Sequence, residues 1–194
     1  MPRRTRITDA GYYHVISRGV ERRNVYLEDE DYGLFLDILV EVFKKYNIVL
    51  HSYVLMSNHY HLLIETTEQN ISDAMRRVNS LYAIYFNKKY ERVGHLWQGR
   101  FHSYYLYDDI HFWIVAKYIE RNPIKAKMIT SISEYKYQSF FQWKFKKEYL
   151  NLIKKSKIFE MTLHEYEEFI STEMKSDISD TVFTTPKLVK KMVR

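Results

Sequence analysis

The sequence predicts an α+β fold: a ferredoxin-like, split βαβ antiparallel sheet with helices packed on it, continued by a C-terminal helical extension. Three observations predict it. Apolar positions switch between a period of two and a spacing of three to four, in the order β-α-β-β-α-β and then a helix. The two central strand segments, 48–56 and 59–65, are separated by Ser57 and Asn58 alone, which is the spacing of a hairpin. No internal repeat and no Gly/Ser linker divides the 194 residues, so the chain reads as one domain over 1–130 with an extension over 131–194.

The first strand is YYHVISR (12–18), rich in β-branched and aromatic residues and ended by Gly19. A helix follows over 29–47, with Leu34, Ile38 and Val42 beside Phe35, Leu39 and Phe43 as its buried stripe and Asp29 or Asp31 as its cap. IVLHSYVLM (48–56) is the second strand, and HYHLLIE (59–65) the third, placed in the sheet interior. A long helix spans 71–90, capped by Asn70 or Ser72, with Met75, Val78, Leu81, Tyr82 and Tyr85 inward. After the loop ERVGHLWQGRFHS, YYLYD (104–108) is a further strand. A third helix spans 108–122 and stops at Pro123, which disfavours helical backbone at Asn122. Beyond 130, SISEYKYQSFFQWKF folds back on the core, and LNLIKKSKIF and MTLHEYEEFISTEM read as short amphipathic helices. The basic tail ending TTPKLVKKMVR reads as disordered.

Composition bounds the function. With 46% apolar residues, 11 Phe and 18 Tyr, there is ample material for a core. The excess of 30 Lys+Arg over 24 Asp+Glu, a net charge of +6, suits a polyanion partner, and equally a merely basic protein. There is no cysteine, which excludes disulfides and thiolate zinc sites. Any metal must be held by His, carboxylate or amide oxygen. The N-terminal segment lacks an apolar signal core and no run approaches a membrane span, so the expected location is cytoplasmic, with no membrane partner.

Within SNHYHLLIE, His59 and His61 are two apart. Residues i and i+2 of a strand share a face, roughly 6.5–7 Å apart. One face therefore carries His59, His61, Leu63 and Glu65, and the other Tyr60, Leu62 and Ile64. Two neutral imidazoles side by side can hold a divalent cation or a phosphate. They can also be partly buried histidines bonded to backbone. On the third helix Tyr118 and Asn122 are i and i+4 and project together, about 5–6 Å apart. Asn before Pro is also an ordinary helix stop. The conjunction of a strand pair with a tyrosine and an amide on a later helix favours a site.

Taken in order, "LMSNHYHLLIE", "GHLWQGRFHSYYLYDD" and "YIERNPIKAKMI" resemble the single-tyrosine HUH transposases of the REP-associated type, TnpA-like relatives of the small insertion-sequence transposases. The resemblance runs from Tyr12 to Ile129. It implies that His59 and His61 ligate a divalent metal, Mg²⁺ or Mn²⁺, with Asn122 as third ligand and Tyr118 as nucleophile. It implies cleavage and rejoining of single-stranded DNA beside a hairpin, a REP-like palindrome, through a 5′-phosphotyrosine. A monomer with Tyr118 acting in cis is favoured over a dimer. Ser57 stands where the commoner pattern has proline, which alters only the turn.

Arg3, Arg4 and Arg6 of the N-terminal arm, with Arg18, Arg22, Arg23 and Arg100, are the expected phosphate contacts. Arg76 and Arg77 read as a solvated face. Trp97 and Phe101 either anchor their loop in the core or stack a base, the core being favoured. His95 and His102 lack a partner in spacing and are weaker candidates. Three other readings stay open. One is a non-catalytic binder of structured single-stranded DNA, another an HUH nickase of replication type. The third is a His-metal hydrolase that leaves no covalent adduct.

Overall fold

Four strands form where β-branched and aromatic residues alternate: β1 (Gly11–Arg18), β2 (Ile48–Met56), β3 (His59–Thr66) and β4 (His102–Leu106). In the computed structural model, which describes residues 7–146 and 149–174, they make one antiparallel sheet in the order β2-β3-β1-β4. The Ser57–Asn58 turn closes the β2–β3 hairpin with Met56 opposite His59. As expected, β3 is an interior strand, and the fold is the split βαβ arrangement that the hydrophobic periods predict.

Helices α1 (Asp29–Lys45) and α2 (Ile71–Lys89) cover one face. Phe35, Leu39, Val78 and Tyr82 there pack with Tyr13, Val15, Tyr60, Leu62 and Ile64 of the strands in the main core. Helix α3 (Asp109–Lys125) lies on the opposite face, where Phe112, Val115, Ala116 and Ile119 pack on Val54, Met56, Leu63 and Leu106. Both histidines of β3 point to that second face.

Several element ends shift by one or two residues, and the three main differences are the cap of α1 and the bounds of β4 and α3. Helix α1 takes Glu28 as its N-cap residue, while the buried Asp31 accepts the N–H groups of Leu27 and Glu28 at 2.7 and 3.0 Å. The N3 carboxylate reaching back to the N-cap N–H is one half of a capping box with Glu28. Strand β4 starts and ends two residues early, at 102–106, because pairing with β1 sets it: His102 lies opposite Ile16 and Leu106 opposite Tyr12. Asp108 is thereby released to cap α3, accepting the His111 N–H at 2.8 Å.

The third correction matters most: α3 does not stop at Asn122 but runs through Pro123 to Lys125. A helix-interior proline costs about 3 kcal/mol by losing one hydrogen bond and crowding the preceding turn. Here it sits in the final turn, and burying an apolar side chain such as Ile119 contributes roughly 1.5–3 kcal/mol. Ala126 and Met128 then close the end on the carbonyls of Asn122 and Pro123.

The later segments do fold back. Residues 137–139 run beside β2, where the Leu55 N–H donates to Tyr137 O at 2.9 Å and the Tyr53 N–H to Ser139 Oγ at 3.0 Å. They cover an otherwise open sheet edge. Three α-helical segments follow, α4 (Ser139–Phe141), α5 (Leu150–Ile153) and α6 (Leu163–Ser171). The basic tail lies outside the described residues.

Glu120, on the back of α3, ties these layers together. It is wholly buried and accepts hydrogen bonds from Ser52 of β2 at 3.0 Å, Tyr166 of α6 at 3.4 Å, the Phe140 N–H at 3.3 Å, and the Ser139 hydroxyl. Burial pushes its carboxyl up to about 7 from an ordinary 4.5, against the pull of those donors. The folded chain therefore keeps a proton that the unfolded chain releases across that window. The stability tied to this proton is full below the lower value and is lost as pH rises through the higher one, by up to about 3 kcal/mol. Urea unfolding from about pH 4 to about pH 8 should show the decline. Glu120→Gln should flatten it, and an unchanged slope in that variant would remove Glu120 as the source.

Candidate active site

The alternation of β3 and its pairing with β1 place His59 and His61 under α3. Their ring centroids are 5.0 Å apart with planes at 79°. His61 is buried, and its Nδ1 meets Nε2 of His14 at 2.9 Å. His59 is half-buried, with Nδ1 2.5 Å from Asn58 Oδ1. In each ring Nδ1 is engaged, which leaves Nε2 as the nitrogen for a ligand. Burial pushes His61 well below the usual imidazole range, helped by the neighbouring histidines and Arg18. Burial and then Arg18 lower His59 to about 4. Both are neutral at neutral pH, the state in which imidazole binds metal.

From above, α3 brings Tyr118 edge-on to two imidazoles, at 5.7 Å from His61 and 5.8 Å from His14 between centroids. Burial raises the Tyr118 phenol above its ordinary 10, while a hydrogen bond from Asn122 and the charge of Arg18 pull the other way. One turn on, the buried Asn122 donates Nδ2 to the Tyr118 carbonyl at 2.8 Å, so Oδ1 is the atom left for a ligand. A further turn on, Lys125 Nζ stands 5.5 Å from the Tyr118 ring centroid.

These groups line a cavity of about 400 Å³, together with Arg18, Gln98, His102 and Tyr104. Arg18 and Lys125 are its charged groups, and no carboxylate is among its described lining residues. Such a pocket favours an anion. Among the described residues no three His, Cys, Asp or Glu side chains gather to hold a metal, and the amide side chains lining the cavity beside the histidine pair are Asn122 and Gln98. Asn122 is pinned in place, whereas Gln98 is exposed on a loop. Two neutral imidazoles and an amide oxygen form a nitrogen–oxygen set that fits a divalent cation.

The structure thus brings together His59, His61, Tyr118, Asn122 and Arg18. Arg22 and Arg23 lie beyond the end of β1, outside the pocket, and Arg23 pairs with Glu21 at 2.6 Å. Arg100 faces a separate cavity between α2 and the 94–101 loop. Arg3, Arg4 and Arg6 lie outside the described residues. Trp97 and Phe101 are buried, and the Trp97 indole donates to Asn79 O at 2.9 Å, so both anchor the loop.

Sequence reasoning missed His14, Gln98, Tyr104 and Lys125 and underrated His102. Lys125 was within reach: it is i+7 from Tyr118, two turns along the same face, and only ending the helix at Asn122 hid it. His14 required knowledge that β1 lies between β3 and β4.

The family described as "Transposase IS200 like" matches residues 8–122. A REP-associated tyrosine transposase bound to a REP hairpin superposes with a TM-score of 0.63 at 18% identity, over 73% of this chain and 84% of that one. A protein described as a transposase from Deinococcus radiodurans R1 superposes with a TM-score of 0.44 at 20% identity, over 66% and 95%. The tRNA(His) guanylyltransferase of Saccharomyces cerevisiae does so with a TM-score of 0.45 at 11% identity, over 93% and 79%. No curated protein matches the sequence. Among the described residues, no helix is long and apolar enough to cross a membrane.

Proposed function

The chain belongs to the IS200-like transposase family, and from that premise we propose that it cuts and rejoins single-stranded DNA beside a hairpin through a covalent bond to Tyr118. The observation that carries this reading is the placement of Tyr118 over two neutral imidazoles, in a pocket whose charged groups are cations.

A phenol at neutral pH is a weak nucleophile, and burial makes Tyr118 weaker still. Arg18 and Lys125 would seat the nonbridging oxygens of the scissile phosphate, and Arg18 also favours the phenolate. The Tyr118 oxygen then attacks phosphorus as the bond to the 3′-oxygen breaks. The phenol gives up its proton and the departing 3′-oxygen gains one, so the products are a 5′-phosphotyrosine and a free 3′-hydroxyl. Mg²⁺ or Mn²⁺, held by His59, His61 and Asn122, would supply Lewis-acid stabilisation of the developing charge. The phosphodiester energy is retained, so a second 3′-hydroxyl can reverse the step and join strands without ATP. Tyr118 and both histidines converge within one chain, which supports attack in cis and a monomer as the working unit.

The likeness to a protein bound to a REP hairpin supports a hairpin-bearing strand as the partner. Incubation with a pool of hairpin-bearing single strands and Mg²⁺ should yield an adduct that survives a denaturing gel, together with a new extendable 3′ end. The same sequence in a perfect duplex should stay intact, because the proposed attack needs an unpaired strand whose scissile phosphate can reach Tyr118 between β3 and α3. Equal cutting of both forms, or cleavage with no adduct, would overturn the proposal in favour of an ordinary nuclease or hydrolase.

A further inference from the structure

The cavity-lining histidines do not stand alone. Behind them lies His14, on the central strand β1, fully buried. It faces Leu63 of β3 on one side and Tyr104 of β4 on the other. It is therefore one step diagonal from His61, which lies opposite Ile16. Diagonal neighbours on one sheet face are within reach of ring side chains. The two imidazoles stack at 5.1 Å between centroids with planes 23° apart, and His14 Nε2 meets His61 Nδ1 at 2.9 Å. The Tyr118 ring closes over both.

A neutral imidazole has one N–H and one lone pair, and a hydrogen bond at one nitrogen decides which is which. If His14 Nε2 carries the proton, His61 Nδ1 accepts it, and the hydrogen of His61 sits on Nε2, facing the pocket. No cation can then be ligated there. If instead His61 donates Nδ1–H, its Nε2 presents a lone pair to the pocket. Only the second arrangement serves the chemistry.

Resting on the metal-dependent reading above, we propose that His14 is a positioning residue: it accepts the Nδ1–H of His61, and so fixes the tautomer and ring plane that aim His61 Nε2 into the pocket. Outer-shell partners of ligating histidines typically change metal affinity 10–100-fold when removed. His14 is wholly buried, with the Tyr118 ring of α3 edge-on to it. The same ring backs Tyr118, which links ligand orientation and nucleophile placement through one side chain.

The first test needs no mutation. Long-range ¹H–¹⁵N spectra of the metal-free protein should show His61 protonated on Nδ1, and an Nε2–H tautomer would overturn the proposal. The second uses Mn²⁺ alone, titrated by electron paramagnetic resonance. His14→Phe keeps the ring but removes the acceptor, and should weaken Mn²⁺ binding about 10–100-fold. His14→Gln, whose amide oxygen can accept, should recover most of that loss. Melting temperature and hairpin binding report whether each variant folds. Unchanged Mn²⁺ affinity in a folded His14→Phe chain would overturn this inference while leaving the metal site standing. A wild-type chain that binds no Mn²⁺ would overturn both.

Discussion

Tyr118→Phe should abolish the covalent protein–DNA adduct and lower strand cleavage by at least about 10⁴-fold, the scale on which removing a nucleophile acts. The substitution deletes one oxygen. The ring keeps its contacts with His14, His61 and Lys125, so folding and hairpin binding should be nearly unchanged. The rival is not any of the many core tyrosines but Tyr104, which lines the same cavity from β4. On sequence alone Tyr104 could be set aside as a strand residue committed to packing. The structure makes it a neighbour of the site, so the adduct must be mapped. Mass spectrometry of the trapped species should place the nucleotide on Tyr118. An adduct on Tyr104, or undiminished cleavage by Tyr118→Phe, would sink the assignment.

Substitution of either histidine by alanine should come next in size. Loss of Lewis-acid stabilisation worth several kcal/mol corresponds to cleavage reduced on the order of 10³-fold. Hairpin affinity should be largely kept, since most of it is expected to come from phosphate contacts elsewhere. The two variants should differ in stability. His59 is half-buried and leaves only a surface gap, whereas His61 is buried and its removal opens a cavity beside His14 and loses the 2.9 Å contact between them. His61→Ala should therefore cost on the order of 1–3 kcal/mol more in urea unfolding. Full cleavage by either variant in the presence of a chelator would remove the metal from the mechanism.

Much of the site was legible because its parts are close in sequence. Two residues along a strand share a face whatever the sheet does, so His59 and His61 were paired before any fold was known. Four residues along a helix share a face likewise, which joined Tyr118 to Asn122. Turn chemistry at Ser57–Asn58 set the hairpin that pairs β2 with β3. Where expectation failed, a nonlocal contact overrode a local rule. Pro123 should have ended α3, yet packing of Ile119 and its neighbours on the sheet carries the helix past it, and Lys125 enters the pocket as a result.

Backbone dihedral preferences act between near neighbours, and they determined the element types, the paired histidines and the tyrosine–amide face from sequence alone. Which strands lie side by side depends on loop closure and on burial summed over the whole sheet, and no short stretch encodes that sum. Only the tertiary structure decided that β1 sits between β3 and β4, which sets His14 behind His61 and Tyr104 beside them. It likewise decided that α3 crosses the histidine face while α1 and α2 cover the other, since both faces of the sheet are apolar enough to attract a helix.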